Sequence, residues 1–206
     1  MDPAPPSIAV IRRRDLLLTA TLLLIALTPS WFLPAAVAVP WQIAVALLGG
    51  PMLLLSWTHG PWQPTPPGDT ARIISHLGLT EGQRFVDLGS GDGRILLQVA
   101  HATGADCTGI EAAPFMVLLS WVRTRFPDRG RIRIRAGDLY RADLSDFDAV
   151  YVWGAPYSVG TEGFAESLRA RLAEGARVVT YQHPLVGWAA TTVDVDGERP
   201  IYVYER

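Results

Sequence analysis

The chain of 206 residues contains no lysine, no asparagine and a single cysteine, Cys107. One cysteine excludes an intramolecular disulfide framework and a cysteine-based zinc cluster, and it fits a reducing compartment. All 18 basic residues are arginine, a bias that reads as genome composition rather than chemistry. Charge is absent from one long stretch: between Asp15 and Asp69 lie 53 residues without Asp, Glu, Lys or Arg. Such a gap argues against both a disordered chain and a wholly soluble globule of ordinary composition. A basic excess is missing too. There are three Arg against two Asp before Asp69, and fifteen Arg against eighteen acids from Asp69 onward. Neither part has the electrostatic footprint of a nucleic-acid binder, so no nucleic-acid partner is expected.

From Leu16 to Trp57 there are 42 uncharged residues. As helix they would extend roughly 63 Å, twice a hydrocarbon core of about 30 Å. Residues 16–57 therefore predict a transmembrane hairpin of two spans. It would reverse at Thr28-Pro29-Ser30-Trp31-Phe32-Leu33-Pro34, where two prolines break the helix. Trp31, Phe32 and Trp41 would mark the far interface, and Trp57 and Trp62 the near one. Arg12, Arg13 and Arg14 place residues 1–15 in the cytoplasm by the positive-inside rule, and a hairpin returns the rest of the chain there. A cleaved signal peptide is the competing reading, with Arg13-Arg14 as a twin-arginine start and Ala36-Val37-Ala38 as a cleavage site. It leaves the second apolar run, Val39 to Trp57, without a purpose. Residues 58–68, carrying Pro61, Pro64, Pro66 and Pro67, read as a stiff Pro-rich linker.

From Asp69 to Arg206, apolar runs of strand character alternate with stretches of helical spacing, which predicts an α/β domain with a doubly wound, mostly parallel sheet. Helices are expected over 69–79, 92–103, 114–126 and 161–172. Strands are expected over 84–88, 106–111, 131–136, 148–153, 177–181, 191–195 and 201–204. Asp196-Gly197 supplies turn chemistry between the last two.

The densest chemical signal is Phe85-Val86-Asp87-Leu88-Gly89-Ser90-Gly91-Asp92-Gly93-Arg94, a strand running into three alternate glycines and then a helix. Glycines let the backbone turn sharply and lie against a ligand at a helix N-terminus. The dinucleotide fingerprint needs its third glycine at position 94, which is Arg. The spacing is G-x-G-x-G, with an acid two residues ahead. This resembles the first motif of the class I S-adenosylmethionine-dependent methyltransferases, and the resemblance covers residues from about 62 to 206. It implies a seven-stranded Rossmann-like sheet and S-adenosyl-L-methionine as cofactor. Asp87 would help hold the methionine end, and the loop Gly89, Ser90, Gly91, Asp92 and Gly93 would pass close beneath it. A structural glycine turn is the plainer alternative.

Glu111 closes the second strand, 20 residues beyond Gly91, where a carboxylate can accept hydrogen bonds from ribose hydroxyls. Asp138 follows the third strand and matches the family's acid near the adenine amine, with Leu139 packing on the ring. Solvated strand-end and turn acids are the alternatives. Three acids at three successive strand ends are a stronger signal together than any one alone. After the fourth strand stands Trp153-Gly154-Ala155-Pro156-Tyr157, which lacks the polar residue that would grip a base amine or an amide. Trp153 and Tyr157 are the candidate substrate-side residues, flanking an alkylamine by cation–π contact, although core packing accounts for Trp153 equally well. His101 and His183 read more readily as wet surface histidines. No side-chain group has metal-ligand spacing, and no Ser-His-Asp arrangement is evident.

A narrower resemblance rests on the N-terminal apolar segment, on Trp62-Gln63-Pro64-Thr65-Pro66, on the block Val86 to Ile95, on a Gly-x-Pro after strand four, and on Pro184 and Trp188 near the end. These are similar to the mitochondrial ATP-synthase c-subunit lysine N-methyltransferase family and its prokaryotic protein-lysine methyltransferase relatives. The resemblance implies a membrane-anchored enzyme that methylates a protein lysine, including one in a membrane protein. Because the cofactor is made in the cytoplasm, the domain would face that side. Two alternatives remain at this point: methylation of a membrane-soluble quinone or lipid amine, and a methyltransferase-like binding protein that performs no transfer.

Overall fold

A computed structural model describes Thr21, Leu24 and residues 32–59, 63–125 and 130–206. The chain divides into two compact units, Met1–Pro61 and Trp62–Arg206.

In the first unit, α1 runs over Ala35–His59. The expected two-span hairpin is not supported, because among the described residues no helix is long and apolar enough to cross a membrane. Pro40, Gln42, Gly49 and Gly50 lie within α1 and interrupt its run of apolar residues. Most of the expected first span, and Arg12 to Arg14, lie outside the described residues. The candidate cleavage site Ala36-Val37-Ala38 is inside α1. Val37, Val39, Trp41, Ile43 and Leu47 are exposed.

The second unit contains α2 (Pro67–Leu77), β1 (Arg84–Leu88), α3 (Arg94–Thr103), β2 (Asp106–Glu111), α4 (Pro114–Thr124), β3 (Ile132–Ala136), β4 (Ala149–Val152), α5 (Pro156–Val159), α6 (Glu162–Arg171), β5 (Arg177–Tyr181), β6 (Thr192–Asp194) and β7 (Ile201–Glu205). Local chemistry sets several boundaries. Pro67 opens α2, where its missing N–H costs nothing, and Gly78 ends that helix at φ 63°. Thr161 caps α6 by accepting a hydrogen bond from Phe164 N at 3.2 Å.

The seven strands form one sheet in the order β3-β2-β1-β4-β5-β7-β6. The first five are parallel, while β7 pairs antiparallel with both β5 and β6. The Rossmann-like sheet read from the sequence is therefore present. The order turns back between β1 and β4, and it is outside the carboxyl ends of the strands at this switch point that such sheets bind ligands. Both faces of β1 are covered. Phe85 joins a core with Ile73 and Leu77 of α2, Leu96 and Val99 of α3, Tyr151 and Tyr181. Val86 and Leu88 join a second core with Phe164 and Leu168 of α6, Val150 and Val178. Each fully buried side chain of this size contributes about 1.5–3 kcal/mol, which explains why the central strands read as continuous apolar runs.

The structure departs from the sequence reading in two connections. The four-residue helix α5 was not expected, because one turn carries no periodicity. The β6–β7 connection is longer than a tight Asp-Gly turn, since Asp194 pairs with Ile201 and leaves residues 195–200 between them. Gly197 in that connection lies against Asp69 and Arg72, where a Cβ would collide with both side chains.

Candidate active site

The glycine loop leaves β1 with Gly89, Gly91 and Gly93 all in the left-handed region, at φ 84°, 54° and 76°. Gly93 caps α3, and a Cβ there would collide with Ser120 and press on Thr124 of α4. No other residue type satisfies both demands. The loop is anchored to β2: Gly89 N and Ser90 N donate to Ile110 O at 2.9 and 3.2 Å, and Gly93 N donates to Ser90 O at 2.9 Å.

Glu111 at the end of β2 holds the loop from the other side. Its Oε2 accepts from Gly91 N at 2.8 Å and its Oε1 from Ala113 N at 2.8 Å. A carboxylate has about four acceptor positions, so both oxygens keep capacity for a ligand diol. Asp87 is buried at the end of β1, in register with Gly109 of β2 and Tyr151 of β4. Burial pushes its carboxyl well above the ordinary range, and the negative charges of Glu111 and Asp92 add to the effect. Such a group is poised to ionise when a cation is brought to it. Asp138 is exposed after β3 and accepts from Tyr140 N at 2.8 Å. Leu139 is half-buried and packs against the second core.

Asp92 is placed differently from the other acids of the motif. It is buried and ion-paired with Arg94 at 2.7 Å and with Arg123. Burial alone would raise its carboxyl pKa, but the hydrogen bonds and charges of the two arginines bring it below the ordinary value. Its carboxylate ties the loop to α3 and α4, which leaves its backbone as the part that faces a ligand.

The expected substrate-side residues lie after β4. Trp153 is half-buried and packs edge-on against Tyr181, with ring centroids 4.9 Å apart, so this side chain is engaged in packing. Tyr157 is 48% exposed. A Cβ on Gly154 would lie 2.9 Å from Val159, which explains why this position does not carry a polar side chain. Tyr140 OH donates to Ser158 at 3.2 Å, and Arg171 Nη1 donates to Leu139 O and Ala142 O at 2.9 Å each. These bonds hold the loop after β3 against α5 and α6. His101 is exposed on α3, away from the loop. His183 follows β5 and is half-buried; burial, with the charge of Arg199, lowers its pKa.

Four residues that sequence reasoning did not assign to the site belong to its framework. Thr65 Oγ1 and the Tyr151 hydroxyl share a buried hydrogen bond of 3.3 Å. Tyr181 OH donates to Asp69 Oδ2 at 2.6 Å, also buried. No spacing in the sequence links these pairs. Among the described residues no group of His, Cys, Asp and Glu would hold a metal ion.

The donor set fits S-adenosylmethionine. A buried acid beside the loop suits its cationic methionine end, Glu111 suits the ribose diol, and Ser90 Oγ is buried without a hydrogen-bond partner. No atom lies within 4 Å of where a Cβ on Gly89 would stand, which leaves space for a ligand over the loop. Sheet order, glycine loop and strand-end acids together define a class I S-adenosylmethionine-dependent methyltransferase.

Similarity to known proteins narrows the class. The sequence model of the ANTKMT methyltransferase domain matches residues 87–192, and the chain belongs to that family. It is 34% identical over 143 residues to the adenine nucleotide translocase lysine N-methyltransferase of Mus musculus, covering 67% of this chain and 61% of that protein. It is 27% identical over 146 residues to the ATP-synthase c-subunit lysine N-methyltransferase of Rattus norvegicus, covering 70% of this chain and 66% of that protein. The chain thus spans somewhat less than two thirds of either relative. Among solved structures, an RNA methyltransferase from Salinibacter ruber in complex with S-adenosyl-L-homocysteine superposes with a TM-score of 0.66 at 27% identity, over 69% of this chain and 93% of that one.

Proposed function

We propose that the chain is a protein-lysine N-methyltransferase. The observation that carries this reading is the acceptor side, where Trp153 and Tyr157 stand beside Gly154 and Ala155, with no polar side chain at those two positions to grip a nucleobase or an amide. An aromatic border suits an alkylamine stem and its head group. The relatives named for lysine methylation support the same acceptor class.

S-adenosylmethionine, when bound, supplies an electrophilic methyl group on a sulfonium. Asp87 would ionise toward its ammonium, Glu111 would accept from the ribose hydroxyls, and Asp138 with Leu139 would border the adenine. The backbone of Gly89, Ser90, Gly91, Asp92 and Gly93 would form the floor. Trp153 and Tyr157 would hold the lysine amine in line and exclude water, which is where most of the rate advantage of a direct transfer arises. With the donor bound, its sulfonium would give the methyl group to a neutral lysine amine and leave as the thioether, the proton of the product amine going to water, while Trp153 and Tyr157 would keep other water out. No strong base is needed once the lysine is neutral.

The first unit supports a reading of the chain's location. The 53 uncharged residues and the exposed apolar side chains of α1 favour attachment to a membrane, with the second unit on the cytoplasmic side. Incubation of membranes with the full chain and methyl-labelled cofactor tests the acceptor. Label in protein, recovered as methyl-lysine after hydrolysis, is expected, while label found only in the lipid fraction would remove the lysine reading. A reporter fused after Arg206 should be active only in the cytoplasm.

A further inference from the structure

The element Trp62-Gln63-Pro64-Thr65-Pro66 precedes every cofactor motif in the chain, and nothing in the transfer chemistry uses it. Its placement in the fold is specific. Gln63, Pro64, Pro67 and Gly68 are exposed, whereas Thr65 and Asp69 are buried, at 5% and 2% exposure. The irregular segment before Pro67 thus turns Thr65 inward, and the first turn of α2 does the same with Asp69. Each meets a tyrosine on a different strand. Thr65 meets Tyr151 of β4 at 3.3 Å, and Asp69 meets Tyr181 of β5 at 2.6 Å.

Tyr151 is the direct neighbour of the cofactor acid. It is in register with Asp87, so the two side chains lie on the same face of adjacent strands, about 4.8 Å apart in the sheet. On the other side of Asp87 the register partner is Gly109, where a Cβ would lie 2.6 Å from both Leu96 and Ser90. Of the two register partners of Asp87, Tyr151 is the one that carries a side chain. Burial holds the Tyr151 phenol far above its ordinary pKa; the Thr65 hydrogen bond works against this, and the charge of Asp87 adds to it. The phenol and the carboxyl thus share one electrostatic environment. A polar group buried here without a partner would be destabilising, so Thr65 and Tyr151 constrain each other.

We propose that Thr65 is a positioning residue for cofactor binding: its hydroxyl fixes the Tyr151 ring beside Asp87, and the segment from Gln63 to Asp69 is a strap that completes the methionine end of the cofactor site. Thr65 acts through Tyr151 and does not touch the cofactor. The inference rests on the assignment of Asp87 to that site.

The test uses the full chain and titration calorimetry with S-adenosylhomocysteine. Thr65→Val keeps the shape and removes the hydroxyl, Tyr151→Phe removes the same bond from the other end, and Thr65→Ser retains it. Thr65→Val and Tyr151→Phe should each weaken binding on the order of tenfold. The double variant should be no weaker than either one, as expected for one shared interaction. Thr65→Ser should bind within about twofold of the unmodified chain, a rescue that general loosening of the fold does not produce. Two results overturn the proposal while leaving the cofactor site intact: single variants that bind like the unmodified chain while Asp87→Ala loses binding, or losses that simply add in the double variant. Undiminished binding by Asp87→Ala would instead overturn the cofactor assignment itself, and the strap with it.

Discussion

At the ends of β1, β2 and β3 the groups proposed for the cofactor are three left-handed glycines and a set of acids, all within residues 87–138. At the ends of β4 and β5 the groups proposed for the acceptor are the rings of Trp153 and Tyr157, on strands whose buried Tyr151 and Tyr181 are held by partners 86 and 112 positions away in sequence. The first half would meet a ligand with backbone and carboxylates, which need a particular residue at each position because φ and formal charge leave no substitute. The second half would meet a ligand with shape, and many residue combinations can build a given shape. The contrast fits the roles proposed for them, since a shared cofactor demands one geometry and an acceptor differs from enzyme to enzyme.

Substitutions that separate the halves test this contrast, and the largest effect is expected at Gly93. Gly93→Val would force a branched side chain into the left-handed region and against Ser120, at a cost of about 3 kcal/mol from the two effects combined. A chemical denaturation curve should show the lower midpoint. An unchanged midpoint would mean that the loop relaxes freely and that the glycines are not required as described.

Glu111→Gln comes next, because it removes a charge from bonds that both a diol and Gly91 N make. Affinity for S-adenosylhomocysteine should fall by about ten- to a hundredfold. Equal affinity would place the ribose elsewhere and weaken the distinction between the halves.

A smaller effect lies in the support under the acceptor half. Asp194 accepts from Arg72 at 2.5 Å, lies 2.6 Å from His76, and so joins β6 to α2. The hydrogen bond from Arg72, with those from Asp196 N and His76, holds its carboxyl far below the ordinary range. A depressed carboxylate contributes stability above its unfolded value of about 3.9, and that contribution is lost as pH falls through the folded value. Asp194→Asn should cost about 1 kcal/mol at neutral pH and should lose less stability than the unmodified chain on acidification below about pH 4. Parallel pH–stability curves for the two chains would show that the carboxylate charge contributes nothing.

The smallest effect is expected at the exposed Tyr157. Tyr157→Ala should lower kcat/KM for the acceptor by up to about tenfold, the range of a partly solvated cation–π contact, with affinity for S-adenosylhomocysteine unchanged. A loss of cofactor affinity instead would move Tyr157 to the other half.

The cofactor half was largely legible from residue order, because strand, loop and helix follow one another without interruption from Phe85 to Thr103. Only the direction of Asp92 was not, since its partner Arg123 is a helix away. In the N-terminal region the uncharged stretch was plain, but the expected pair of spans was not supported, since among the described residues no helix is long and apolar enough to cross a membrane.

The sequence by itself determined the alternation of strands and helices, the glycine loop and its acids, since these depend on φ, on periodicity and on charge at neighbouring positions. Tertiary structure alone decided that Thr65 reaches Tyr151, that Asp69 reaches Tyr181 and that Trp153 rests on that ring. Those contacts join segments that are distant in the chain, and a hydrogen bond between such segments leaves no spacing by which it can be read beforehand.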